Sequence, residues 1–249
     1  MNRLAALLGA ERPVLLDGAM GTLLQDSGLE DGAPGELWNL ENPDAVRAAH
    51  AAYAEAGARL LTTNTFGGTR PRLDMHGLGS RVGEVNRAAA QIARSVAAEH
   101  GLLVAGDLGE ADAALAAARD VAPDLPVVVT MSFDSNLRTM MGVRPGDAVA
   151  HLAAAGADAV GANCGRGPEE MEVIAAEMVQ ARTGEVLLVA QSNAGLPQVV
   201  GDHFEYDASP DDLAAHATRL AGLGIDLIGG CCGSTPAHVA AMGATVIAT

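Results

Sequence analysis

The sequence predicts an α/β barrel of the TIM type, built from parallel strands and shortened by about one βα unit. Three observations predict it. Short apolar runs alternate with helical stretches that end in glycine, the grammar of parallel strands joined by right-handed crossovers. The loops after those runs are rich in Gly, Asn, Asp, Cys and Thr, which places the polar chemistry at the C-terminal ends of the strands, the active face of a parallel barrel. Seven such runs can be counted in 249 residues, where a closed barrel of this kind wants eight. With no linker or low-complexity stretch, residues 1–249 are expected to form a single domain.

The strands are expected at 13–16, 59–63, 102–105, 126–131, 158–161, 186–190 and 225–228. Their near-continuous apolar character fits strands covered on both faces. Helices are expected at 44–56, 81–99, 110–121, 146–155 and 168–181, with Gly57, Gly101 and Gly156 as stops and Pro168 in a first turn. Ser209 caps a further helix whose acidic first turn suits the dipole, and Gly224 stops it. Ser234-Thr235-Pro236 opens the last helix. Residues 1–10 read as a short surface helix rather than a signal peptide, 198–208 as a long loop, and Trp38 as a lid or plug.

Net charge is −16, with no lysine, and the pI is near 4.6. Such a surface repels phosphate backbones and anionic lipid, so neither nucleic acid nor a membrane is an expected partner. No stretch has the length of an uncharged membrane span. An odd count of three cysteines without a spaced framework fits a reducing compartment, and the expected location is the cytoplasm.

Those three cysteines are the chemical centre of the chain. Cys164 lies in Gly161-Ala162-Asn163-Cys164-Gly165, at the end of one predicted strand. Cys231 and Cys232 lie in Gly229-Gly230-Cys231-Cys232-Gly233, at the end of the last. Two strand ends can bring three thiols to one point. Three thiolates with one open position are a catalytic zinc arrangement, since a structural site fills all four. Three inert buried cysteines, or a vicinal disulfide between Cys231 and Cys232, are the other readings of the same residues.

Motifs spread over the whole chain resemble the zinc-dependent homocysteine S-methyltransferases, a group that includes betaine–homocysteine methyltransferases and the homocysteine-binding domain of cobalamin-dependent methionine synthase. They are Asp17-Gly18-Ala19-Met20-Gly21-Thr22, Glu36-Leu37-Trp38-Asn39-Leu40, Thr63-Asn64-Thr65-Phe66-Gly67, Gly161-Ala162-Asn163-Cys164, Asn193-Ala194-Gly195-Leu196-Pro197 and Ile228-Gly229-Gly230-Cys231-Cys232-Gly233-Ser234-Thr235-Pro236. The Thr139-Met140-Met141-Gly142 stretch is similar to bacterial betaine–homocysteine methyltransferase-like proteins.

The resemblance implies a (β/α)8 barrel with Zn2+ on Cys164, Cys231 and Cys232, and Asn193 as fourth ligand when substrate is absent. It implies that L-homocysteine binds as a thiolate and is methylated to methionine. Asp17, Gly18, Asn64 and Asn163 are the residues it points to for substrate binding. No protein nucleophile is implied, because the substrate thiolate is the nucleophile.

The sequence departs from the family after its third strand. Gly106-Asp107-Leu108-Gly109 runs straight into Glu110, and the strand that brings a substrate-binding glutamate is missing. Asp107 and Glu110 are the acids nearest the gap. An unpaired strand edge invites a second copy, so a homodimer is one expected consequence. No donor-carrying module follows Thr249, so the methyl donor is expected to be betaine, S-methylmethionine or methylcobalamin on a separate protein. Scarce aromatic residues speak against a quaternary-ammonium cage. Two other readings stay open: a non-catalytic zinc- or thiol-binding protein that has lost part of its substrate site, and a redox protein using a Cys231–Cys232 disulfide.

Overall fold

The computed structural model describes residues 3–9, 12–30, 32–106, 126–133, 136–200 and 203–246. The predicted helix at 110–121, and Asp107, Glu110 and Asp134, lie outside the described residues. All seven predicted strands are present: β1 (Val14–Leu15), β2 (Leu60–Thr62), β3 (Leu103–Ala105), β4 (Val128–Met131), β5 (Ala159–Cys164), β6 (Leu187–Ser192) and β9 (Leu227–Gly230). Five form one parallel sheet in the order β1-β9-β6-β5-β4, and β2 pairs with β3. A parallel bridge from Leu16 to Leu60 joins the two. The lateral order is therefore β4-β5-β6-β9-β1-β2-β3, all parallel, and among the described residues no ladder links β3 to β4.

Alternation along each strand splits the core in two. Val14, Leu16, Leu60, Ala159, Leu187, Val189 and Leu227 form the inner cluster. Leu15, Leu61, Val160, Ala162, Leu188, Ala190 and Ile228 point the other way and pack with the helices. Helices Val82–His100, Pro145–Ala154, Pro168–Ala181 and Pro210–Leu223 follow the predicted boundaries to within a residue or two. Gly101 and Gly224 end two of them with φ of 68° and 97°, the left-handed region that glycine enters without a Cβ clash. Ser209 caps as expected: its side chain accepts from Asp212 N–H, and the Asp212 carboxylate accepts from Ser209 N–H in return.

Two expectations are corrected. The N-terminal helix (Arg3–Leu8) is not a surface helix, because Leu4 and Leu8 are buried in the inner cluster with Val14, Leu187 and Leu227. Apolar spacing over so few residues says that a helix has an apolar side, not where that side goes. The segment read as a loop at 198–208 contains an antiparallel hairpin, β7 (Gln198–Val200) with β8 (His203–Glu205). Trp38 begins a short helix (Trp38–Glu41) and is half-buried. Among the described residues, no helix is long and apolar enough to cross a membrane.

His50 lies on the buried face of helix Pro43–Glu55 with no partner for either ring nitrogen. Burial lowers its pKa to about 4. Below the usual value near 6.5 the unfolded chain takes up a proton that the folded chain refuses until about pH 4, so stability falls as pH falls through that window. The loss is on the order of 3 kcal/mol. Urea unfolding at pH 7 and pH 4.5, with a chelator present, is expected to show it, and His50→Leu is expected to flatten the difference. Identical losses in both proteins would remove His50 as the cause.

Candidate metal centre

The three cysteines meet at the C-terminal mouth of the sheet. Cys164 Sγ lies 3.0 Å from Cys231 Sγ, and Cys231 Sγ lies 4.0 Å from Cys232 Sγ. All three sulfurs fall within 4.8 Å of one another, and all three thiols are free. Zinc–thiolate bonds of about 2.3 Å in a tetrahedron put sulfurs about 3.8 Å apart, so the observed spacings bracket what a single ion requires.

Strand register creates the cluster. Cys164 and Gly230 both register with Ser192, so β6 lies between the two cysteine-bearing strands. Cys231 N–H donates to Ser192 O at 2.7 Å, and Ala194 N–H donates to Cys232 O at 2.9 Å. Alternation would point Cys164 outward, in line with Val160 and Ala162. Its φ of 61° breaks the alternation and brings the thiol to Cys231. A left-handed non-glycine residue costs on the order of 1–3 kcal/mol and belongs where the surrounding structure holds it.

The thiols share one negative charge unevenly. Hydrogen bonds with Cys164 and Cys231 pull the Cys232 thiol down to about 3. At Cys164 the bond with Cys231 lowers the pKa, but the bond with Cys232 and burial outweigh it and push it up to about 12. Cys231 is pushed well above the ordinary thiol range by its bonds to both neighbours and by burial. Burial and the neighbouring thiols therefore hold protons on Cys164 and Cys231 more tightly than on an exposed thiol. A divalent ion displaces those protons and stabilises all three charges.

Asn193 is the candidate for a fourth donor. Its Nδ2 donates to Gly165 O at 2.8 Å. Its Oδ1 is buried and has no hydrogen-bond partner. A buried carbonyl oxygen without a donor is costly unless something electropositive meets it. The donor set of three thiols and an orphaned amide oxygen therefore fits a zinc ion.

The remaining sequence-predicted residues lie around this mouth. Asp17 is buried, and its carboxylate accepts from Thr62 N–H at 2.6 Å and from Thr62 Oγ1 at 2.9 Å. Its carbonyl accepts from Gly230 N–H at 3.2 Å, which sets it beside the loop of Cys231. Gly18 has no room for a side chain, since a β-carbon would lie 2.9 Å from the Tyr53 ring. Asn163 Nδ2 donates to Cys164 Sγ at 3.3 Å. Asn64 Nδ2 donates to Gly35 O at 2.8 Å and to Asn39 Oδ1 at 3.2 Å, tying its loop to the Trp38 segment rather than to the sulfurs.

Sequence reasoning missed two contributors. Thr22 Oγ1 accepts from Gly233 N–H at 3.2 Å, joining the first motif to the last. Tyr206, brought in by the hairpin, packs its ring over Gly233, where any side chain would collide with it, and its hydroxyl hydrogen-bonds Cys232. Thr22 sat inside a recognised motif without an assigned role. Nothing in the local sequence marked Tyr206, because its approach depends on the hairpin.

Comparison with known proteins agrees with this geometry. The chain is 30% identical to methionine synthase of Mycobacterium leprae over 95% of its own length, and equally so to methionine synthase of Mycobacterium tuberculosis. It spans about a quarter of the length of those relatives. Each alignment runs to 297 positions, more than this chain's 249, so the relatives carry segments that this chain lacks. The fold is similar to that of the homocysteine methyltransferase MmuM from Escherichia coli in its metallated form, with a TM-score of 0.75, 23% identity, and 98% of this chain and 99% of that chain covered. It also resembles thiamine phosphate pyrophosphorylase from Pyrococcus furiosus, with a TM-score of 0.51 at 12% identity and 95% and 96% coverage. The homocysteine S-methyltransferase family model matches residues 14–124 and 106–246, from the first strand to the last helix, and the chain belongs to that family.

Proposed function

We propose that the chain methylates the thiol of L-homocysteine, giving methionine, with zinc held by Cys164, Cys231 and Cys232. The observation that carries the proposal is the convergence of the three thiols, with the buried, unpartnered oxygen of Asn193 one residue past the position that registers with Cys164. Zinc, when bound there, keeps a substrate thiol ionised at neutral pH. The protein's residues do the rest. Asn193 would be the fourth residue holding the zinc, through Oδ1, when substrate is absent. The Asp17 carboxylate and the Gly18 backbone hold the amino acid's charged groups, with Asn64 and Asn163 shaping the walls of the pocket. In the transfer, a sulfur–carbon bond forms as the bond from the methyl group to its donor breaks, and the donor leaves with that electron pair. The thiol proton has already gone to solvent. Orientation in a water-poor mouth supplies the rate enhancement.

The donor in this reading is betaine, S-methylmethionine or methylcobalamin, and the site of action is the cytoplasm. A second copy pairing at the uncovered edge would complete the sheet. A second reading, zinc or thiol binding without turnover, is favoured by the segments that the relatives carry and this chain lacks.

Zinc-edge X-ray absorption with and without L-homocysteine separates the two. Three sulfurs and one light atom are expected to become four sulfurs on adding substrate. Three sulfurs under both conditions favour the non-catalytic reading. Cys164→Ala, Cys231→Ala and Cys232→Ala are each expected to abolish stoichiometric zinc, measured by elemental analysis after dialysis. Full retention in any one of them removes that cysteine from the site. Asp17→Ala is expected to weaken homocysteine binding at least tenfold by calorimetry, in line with the loss of a charged hydrogen-bond partner, while leaving zinc in place. An unchanged affinity takes Asp17 out of the pocket.

A further inference from the structure

His238 is a buried histidine that the metal centre leaves unexplained. It lies in the first turn of helix Pro236–Val246. Its Nδ1 sits 3.1 Å from Thr235 N and 2.8 Å from Thr235 Oγ1. Its Nε2 sits 3.0 Å from the carbonyl oxygen of Ala208. A carbonyl only accepts, so Nε2 carries the proton and Nδ1 is the acceptor. The bond from Thr235 N–H to Nδ1 is the same contact that Glu or Gln makes in a capping box. The bond from Nε2 belongs to no cap. It reaches back 30 residues to the segment that carries Tyr206.

Hydrogen bonds continue from Ala208 to the cysteines. Ala208 N–H donates to Ala194 O at 3.0 Å, and Ala194 N–H donates to Cys232 O at 2.9 Å. On the other side, Ser234 N–H donates to Cys231 O at 2.9 Å, and Thr235 follows Ser234 in the chain. The circuit from Cys231 and Cys232 through Ala194, Ala208, His238 and Thr235 returns to Cys231. Every hydrogen bond in it but two is backbone to backbone, and both exceptions are made by the imidazole.

We propose that His238 is a positioning residue for the Cys231–Cys232 pair, closing with its two ring nitrogens the ring of hydrogen bonds that aims both thiols. The inference rests on the zinc reading above. Groups that orient metal ligands from outside typically change metal affinity 10–100-fold when removed.

Zinc affinity by chelator competition, on the full chain, tests it in the wild type and in the His238→Ala, His238→Glu and His238→Gln variants. Thermal midpoints of the zinc-free proteins accompany the affinities. Glu accepts from Thr235 N–H and so keeps the helix cap, but has no proton for Ala208. Gln has both an acceptor and a donor. The Ala and Glu variants are expected to lose zinc affinity about tenfold or more, with the Gln variant recovering part of the loss. Cobalt-loaded His238→Glu is expected to show a shifted thiolate-to-metal absorption band. Wild-type affinity and an unshifted band in His238→Glu overturn the proposal, because the histidine then only caps its helix. Equal losses in the Glu and Gln variants overturn it as well, because the donated proton then has no role. A wild-type chain that binds no zinc overturns the zinc reading itself.

Discussion

The tip of β6 is the constraint on which the site depends. Strands two apart in a sheet lie about 10 Å from each other. Cys164 and Cys231 belong to such strands, with β6 between them. Their sulfurs come to 3.0 Å where Cys164 turns into the left-handed region and β6 offers Ser192, then Asn193, Ala194 and Gly195 at that height. Bulk there would wedge the thiols apart. Gly195 has its own reason to be bare, since its φ is 95° and the Asp207 carboxylate occupies the space a side chain would take. The glycines before Cys231 serve the same closeness. A β-carbon at Gly229 would lie 2.9 Å from the Asp17 carbonyl oxygen, so the first motif can sit against the last strand only if that position is glycine.

Burial then decides the chemistry. Three neutral thiols are easily buried, as small weakly polar groups. Three thiolates in the same place would repel one another and lose their hydration, and only a cation makes that state favourable. The unequal thiol acidities, with Cys232 low and its neighbours high, record this frustration. The unpartnered oxygen of Asn193 records it from the other side. Acceptors without donors and thiols with reluctant protons describe a site shaped around a positive charge.

The reduced strand count bears on the other half of the mouth. The cysteines sit on β5 and after β9, and among the described residues the edge strands are β3 and β4. The cysteine cluster is held by paired strands, since β5 and β9 are each hydrogen-bonded to β6. Asp17 is fastened to Thr62 on β2 and to Gly230 at the end of β9.

Much of this was legible in the chain before any coordinates. Apolar runs and glycine stops are local signals, so the seven strands, the helix ends at Gly101 and Gly224, and the Ser209 cap were all readable. The cysteines' convergence was readable because strand ends of a parallel sheet share one face. What the sequence left open depends on partners far along the chain. Leu4 and Leu8 are apolar on either a surface or a plugging helix, and only the inner cluster they enter tells which. Tyr206 meets Gly233, and His238 meets Ala208, because a hairpin and a helix start are docked side by side. The sequence by itself determined the parallel α/β architecture and the identity of the three thiols, since both follow from local pattern and composition. Tertiary structure alone decided which oxygen lacks a donor, which way Cys164 turns and what holds Cys231 and Cys232 in place, since each depends on the register of strands brought together from distant parts of the chain.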